Sequence, residues 1–554
     1  MNKASFPAKR LLEFINEEAS YPRARLMMFA VLSGIANGVL LAIINHGVGL
    51  VGEFSASGDI QVFYLSLFVV GLGMFVYTKK YALDHAAMLV EEVLRRVRMR
   101  IADKIRHAEL TFIESAGYAD IFNCLSQDTI QISQSSSVIF AAIQSGIMVV
   151  FAMIYVAWLT PQGFVLTVCA LLLGGWVFLS KRDGIIRDLN LATKHELLFF
   201  NSFNHTLSGF KEVKINRARS QALFRRQDEI AAEVQMLKSR AGMNAVFVMM
   251  FSEVFFYILI AVVLFVWPYV EPTDAAVVVK LTASILFIIG PLNLLFGNLP
   301  LFIKADVAVS NLRALESKLD TASRSQQVGE SPVRAGLQFE VLRLRDVYFE
   351  HIDHEGVAQF SVGPISLEIH RGEIVFIVGG NGSGKSTLLK LLSGLYYPLK
   401  GSIEINGEDV DSDMYPDYRE LYSIIFTDFH LFDRLYGIPD VDESMVRAWL
   451  RKMGMITKTK FRDGRFTNIN LSTGQRKRLA YISAMLDDKQ VYIFDELAAD
   501  QDPEFRKHFY QALLPELRDM GKTIIAVTHD DRYFGCADRV LKMDEGRLVV
   551  GGIQ

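Results

Sequence analysis

GEIVFIVGGNGSGKSTLLKLLSGL, residues 372–395, passes from an apolar run through a glycine-rich turn into a helix-forming run. It matches G-x-x-x-x-G-K-[ST] from Gly379 to Ser386, between a predicted strand and a predicted helix. In that layout backbone N–H groups of Gly379, Gly380, Asn381, Gly382, Ser383, Gly384 and Thr387 face phosphates, and the glycines permit the close approach. Lys385 supplies a point charge to the β- and γ-phosphates, and the Ser386 hydroxyl is a candidate Mg²⁺ ligand. ATP and Mg²⁺ are therefore the expected ligands.

Two further apolar strands carry chemistry at their ends. QVYIFDE, 490–496, closes on two carboxylates: Asp495 is placed to hold the metal and Glu496 to deprotonate or orient an attacking water. TIIAVTHDD, 523–531, brings His529 to a strand end where it could sense the γ-phosphate. IIFTDFHLFD, 424–433, lies about forty residues beyond the glycine loop and places Thr427 and Asp428 where a metal- and water-facing side chain is expected.

The first half of the 554 residues has a different texture. Half of the composition is hydrophobic (51%), and up to about residue 305 it is gathered in long uncharged runs. Six runs are long enough to cross a bilayer: about 26–50, 61–78, 136–158, 162–180, 243–268 and 275–303. Lysine and arginine crowd the segment before the first run and the two long inner connections, whereas VGEFSASGDI, LTPQG and PYVEPTDA have none. Positive charge marks the cytoplasmic side, so both termini are expected there. The charged, amphipathic N-terminus does not read as a cleavable signal, so the first run is expected to stay as an anchor. The inner connections read as long helical hairpins, as in AAMLVEEVLRRVRMRIADKIRHAEL, 86–110. Polar groups at membrane depth, chiefly Glu253 and also Asn45 and His46, are candidates for a cargo pathway. The three cysteines, Cys124, Cys169 and Cys536, stand far apart and suggest neither a disulfide framework nor a zinc site.

LSTGQRKRLAYISAML, 471–486, opens a helix with Ser472, Thr473, Gly474 and Gln475, whose hydroxyl and N–H groups can point at an anion. It resembles the LSGGQ signature of ATP-binding cassette (ABC) proteins, with Thr473 for the first glycine. The resemblance implies that this signature completes the ATP site of a facing copy, hence a homodimer holding two ATP. Asp502, in AADQDP, matches the D-loop aspartate of that interface. Six spans, long inner hairpins and one cassette resemble a half-size ABC exporter over essentially the whole chain. LSGFKEVKINRAR, 207–219, then falls near the coupling position of the second hairpin.

The expected fold is an α-helical six-span transmembrane domain of ABC-exporter type, 1–320, a linker, 321–336, and an α/β P-loop cassette, 337–554. IVGGNGSGKST, FTDFHLFD, LSTGQRKRLA, FDELAADQDPEFRKHFY and VTHDDRYFGCADRV are similar to exporters of cyclic peptides and siderophores, including those for pyoverdine precursors, syringomycin and lasso peptides. Thr427 departs from the family's glutamine at the Q-loop, and at the adenine-stacking position VYFEH offers His351, Tyr348 or Phe349, of which Tyr348 is taken first. The resemblance implies ATP-driven export of a cyclic or modified peptide, a peptide siderophore or its precursor across a bacterial inner membrane. A lipid or general drug exporter is the nearest alternative, and a membrane-anchored regulatory ATPase that moves no cargo is another. Nucleic acid is not an expected partner, since soluble ABC ATPases of translation or repair lack six spans.

Overall fold

The computed structural model describes residues 9–18, 23–51, 58–116, 118–270, 274–322, 337–352, 358–438 and 441–549. Most of the expected linker, 323–336, and most of the connection after the first run, 52–57, lie outside them. The chain divides into two compact units, and the division differs from the sequence reading at the boundary, which falls before Lys318, and at one inserted segment. Lys104–Tyr118, the tip of the first inner connection, groups with Lys318–Gln554, and the rest of the first 317 residues forms the other unit.

The first unit is helical. Its long elements are α1 (Arg23–Val51), α2 (Gly58–His107), α3 (Thr129–Leu159), α4 (Pro161–Ser208), α5 (Arg217–Ala261), α6 (Ala275–Gly297) and α7 (Leu299–Ala322). Among the described residues, six helical stretches are long and apolar enough to span a membrane, and five of them extend far beyond any bilayer core: Pro161–Ser208 alone is 48 residues. At 1.5 Å per residue that is about 70 Å against a core of about 30 Å. Leu41, Val156, Ala170, Phe256, Ile285 and Leu292 share one buried cluster. α1 meets α3 through glycines four apart: a Cβ on Gly34 would lie 2.5 Å from Ile147 Cγ2, and one on Gly38 3.1 Å from Phe151 Cβ. Small residues at that spacing let helix backbones approach where no hydrophobic effect drives association.

The second unit holds two large sheets and, besides them, a short antiparallel pair, Phe461–Arg462 with Arg465–Phe466. β1 (Val341–Ile352), β2 (Ala358–His370), β4 (Lys400–Ile405) and β5 (Glu408–Asp409) form an antiparallel sheet ordered β2–β1–β4–β5. The other sheet contains β3 (Ile374–Gly379), β6 (Tyr422–Ile425), β7 (Val491–Asp495), β8 (Thr523–Val527), β9 (Arg539–Asp544) and β10 (Arg547–Val549), ordered β10–β9–β3–β8–β7–β6. All its pairings are parallel except β9–β10. The central strands read as unbroken apolar runs because both faces are covered. Val375, Ile377, Val491, Ile493 and Ile525 face one core, shared with β1 and the helix after the glycine loop. Ile374, Phe376, Tyr492, Phe494 and Ile524 face the other, packed by the helix that follows Ser472. This arrangement delivers the ends of β3, β7 and β8 to one edge of the sheet, where open α/β sheets bind ligands.

Candidate functional site

Gly379 ends β3 with φ 155°, and a Cβ there would fall 2.3 Å from Met543 O. Gly384, φ 97°, opens α8 (Lys385–Leu392), and a Cβ on it would come within 2.9 Å of Val362. Both backbone shapes belong to the left-handed region that glycine tolerates. The loop between them therefore curls tightly over the helix N-terminus. Lys385 Nζ donates to Gly379 O at 3.0 Å and Gly380 O at 2.8 Å, so the ammonium is held across the mouth of the loop. Among the described residues Ser383 Oγ, which is buried, has no hydrogen-bond partner, an orphan hydroxyl inside a cradle of N–H groups. Such a site fits a polyphosphate.

The neighbouring strand ends supply hard oxygens. Ser386 Oγ donates to Asp495 Oδ2 at 3.3 Å, and Thr427 Oγ1 donates to the Asp495 carbonyl at 3.4 Å. Burial pushes the Asp495 carboxyl above its ordinary range, while hydrogen bonds from Thr427 and Ser386 pull it back. Two hydroxyls around one carboxylate suit Mg²⁺ when phosphate oxygens complete the shell. No described contact ties Asp428, which is exposed, to this group.

Glu496 follows with φ 50°, an unfavourable backbone for a residue with a Cβ. Its N–H donates to Val527 O at 3.2 Å, and its carboxylate lies 3.0 Å from His529 Nε2. The third restraint escaped the sequence reading. Lys477, 2% exposed, donates to Glu496 O at 2.8 Å and pairs with Asp500 at 2.7 Å. A lone lysine in a basic stretch carries no sequence signal for such a role.

Lys477 belongs to α9 (Thr473–Asp487), whose N-cap is Ser472 in a reciprocal capping box with Gln475. A Cβ on Gly474 would sit 2.8 Å from Asp500 O, and Gln501 Nε2 donates to Gly474 O at 2.8 Å. Arg478 bonds Gln501 and Asp502, and Asp502 caps the next helix by accepting from Phe505 N. The helix start and the segment after Glu496 are thus fastened into one piece. Ser472 and Thr473 remain exposed at its tip. Phe429 of the Thr427 stretch lies under Arg476, 5.6 Å from ring centroid to guanidinium.

The aromatics before the loop separate. Tyr348 lies under Lys400, 5.8 Å from Nζ, on the face of β1 opposite to His351. His351 Nε2 is 3.2 Å from Thr387 Oγ1, and Phe360, its cross-strand partner, reaches the loop at Gly384. The preference for Tyr348 is therefore not supported by position. A break in alternation explains the change: Asp346 has φ 46°, and the register of β1 shifts between Leu344 and Val347. A bulge of this kind moves every later side chain to the other face.

The tip of the first inner connection docks beside this site. Glu114 accepts from Lys390 Nζ at 2.7 Å and from Tyr396 OH at 2.5 Å, and Leu110 packs on the adjoining core. Lys390 lies on the helix that begins in the phosphate loop. In the membrane-spanning unit, Asn45 is fully buried and donates to Ser284 Oγ at 3.1 Å, a helix-packing contact rather than an open pathway position. His46 is exposed beside Tyr64, with ring centroids 4.8 Å apart.

A phosphate loop, a strand-end carboxylate pair and a capped signature helix on one cassette, behind six membrane-spanning helices, define an ATP-driven membrane transporter. Residues 25–269 match the ABC transporter transmembrane region, and residues 362–499 match the ABC transporter family. The ATP-binding protein SyrD of Pseudomonas syringae pv. syringae is 31% identical over 95% of this chain and 94% of its own length. The chain belongs to the ABC transporter family: it is a multi-pass membrane protein and an ABC-type transport ATPase with the exporter architecture. An ATP-dependent lipid A-core flippase of Burkholderia thailandensis is 24% identical over 99% of this chain and 93% of its own. A bacterial Atm1-family ABC exporter solved with ATP bound shares the fold, with TM-score 0.77 and 17% identity, covering 98% of this chain and 95% of that one.

Proposed function

We propose that the chain works as a homodimer that exports a cyclic or modified peptide, such as a peptide siderophore or its precursor, across a bacterial inner membrane. What supports the cargo class is the resemblance of five cassette stretches, IVGGNGSGKST to VTHDDRYFGCADRV, to those of exporters of such peptides. Both termini are cytoplasmic on this reading, and the exposed segment Phe210–Ile215 between α4 and α5 serves as the second hairpin's coupling tip. The test is ATP-dependent accumulation of a cyclic lipopeptide in inside-out vesicles that contain the purified protein. Flipping of a lipid A precursor with no peptide accumulation would overturn it. That second reading, lipid export, is favoured by the flippase relatives.

At the ATP site, Gly379–Thr387 cradle the phosphates, Lys385 reaches the β- and γ-phosphates, and Ser386 and Asp495 would hold Mg²⁺, which when bound would neutralise charge on the transferred phosphoryl group. Glu496 takes the proton of the attacking water, and His529 steadies its carboxylate. Ser472, Thr473, Gly474 and Gln475 of one protomer close over the nucleotide of the other, with Asp502 at the same seam.

Thr427, rather than Asp428, takes the Q-loop role through its hydroxyl beside Asp495. Thr427→Ala should raise the Mg²⁺ concentration for half-maximal ATPase by about tenfold, as loss of a supporting ligand does. Asp428→Ala should leave it unchanged. Equal Mg²⁺ requirements in wild type and Thr427→Ala would return the role to another group.

His351, with Phe360 across the strand, receives the adenine in place of Tyr348. Base–aromatic stacking contributes about 1–3 kcal/mol. Titration with a fluorescent ATP analogue should show His351→Ala binding about tenfold more weakly. Tyr348→Ala should bind like wild type, and the reverse ranking would restore Tyr348.

A further inference from the structure

Glu253 is the only carboxylate in the six spans read from the sequence, and Lys280 is their only lysine or arginine. Glu253 stands about ten residues into its span and Asn293 about ten residues from the inner end of the sixth, which puts both about 15 Å deep. Asn293 Nδ2 donates to Glu253 Oε1 at 2.6 Å, so α5 and α6 hold the carboxylate in one orientation. The pair is half-buried, and its surroundings are open. Met250 and Tyr257, on the same face of α5, are 56% and 59% exposed. On α6, a Cβ on Gly290 or Gly297 would meet nothing within 4 Å.

Hydrocarbon cannot be the neighbour of that face without cost, since a carboxylate at membrane depth is strongly unfavourable. A second copy of the chain does not answer the charge, because Lys280 is thirteen residues from Asn293, about 20 Å along the helix. Dimerisation would instead bring a second uncompensated carboxylate. We infer that Glu253, positioned by Asn293, is the cargo-recognition group for a cationic, ammonium-bearing peptide. This rests on the export reading above and narrows its cargo to peptides with a free amine. A charge-assisted hydrogen bond contributes about 1.5–3 kcal/mol, enough for a preference of about tenfold or more.

The test uses the full-length protein in vesicles and two synthetic cyclic lipopeptides that differ only at one ornithine, free in one and Nδ-acetylated in the other. ATPase stimulation, normalised to each variant's own rate with ATP alone, and accumulation are both followed. The ammonium peptide should half-saturate wild type at about one-tenth the concentration of its acetylated twin. Glu253→Gln should remove that difference and Glu253→Asp should retain most of it. A preference that survives in Glu253→Gln, or equal accumulation of both peptides by wild type, overturns this inference and leaves peptide export standing. Accumulation of neither peptide, with a lipid A precursor flipped, removes the export reading and this inference with it.

Discussion

Glu496→Gln should bind ATP with retained affinity and hydrolyse it at a rate lower by about 10²–10⁴-fold, the usual contribution of a positioned general base. The amide keeps the size of the carboxylate and can still bond His529, 3.0 Å away. It cannot accept the proton of the attacking water. The backbone that aims it is untouched, because Glu496 is fixed by Val527 O, by Lys477 and by its own left-handed conformation at φ 50°. Phosphate release under single-turnover conditions, with a parallel nucleotide-binding titration, separates the two effects. A variant that turns over normally would remove Glu496 from the chemistry.

Lys477→Met is the second large effect, and it acts through position. The ammonium donates to the Glu496 carbonyl and pairs with Asp500. A thioether of similar length leaves both oxygens without their donor. A hydrogen bond to a charged group contributes about 1.5–3 kcal/mol. Asp500 is 52% exposed and can recruit water, so a loss near the lower end is expected. Hydrolysis should fall further than stability suggests, by about tenfold or more, because a misplaced general base weakens proton transfer and water alignment together. Lys477→Arg, which keeps a donor, should recover part of the rate. Thermal unfolding and kcat measured on the same preparations check this, and a Lys477→Met protein with wild-type kcat would show the contact to be structural only.

Both predictions concern one segment, and only half of it could be read in advance. The fastening of Gly474, Gln501, Lys477 and Glu496 joins the signature helix to the strand-end carboxylates within one cassette. A shift at the exposed tip, Ser472 and Thr473, is therefore felt at the base. Glu114 makes a corresponding attachment at the far end of the phosphate-loop helix, through Lys390 and Tyr396. Its segment groups with the cassette although it lies between membrane helices in sequence.

The sequence alone determined what contiguous residues encode. Unbroken apolar runs become strands covered on both faces or helices long enough to cross a bilayer, and a glycine loop ending in Lys385 and Ser386 can do little but wrap an anion. These follow from local backbone preference and from burial summed along the chain. The tertiary structure decided everything that depends on rotation and register. A bulge at Asp346 turned His351 inward and Tyr348 away. The turn of α1 buried Asn45 against Ser284, while α5 and α6 brought Glu253 to Asn293, forty residues apart. Lys477 became a buried tie although its neighbours Arg476 and Arg478 are equally basic in sequence. One residue of slip in a strand, or about 100° around a helix, changes such partners while the pattern of apolar residues barely changes.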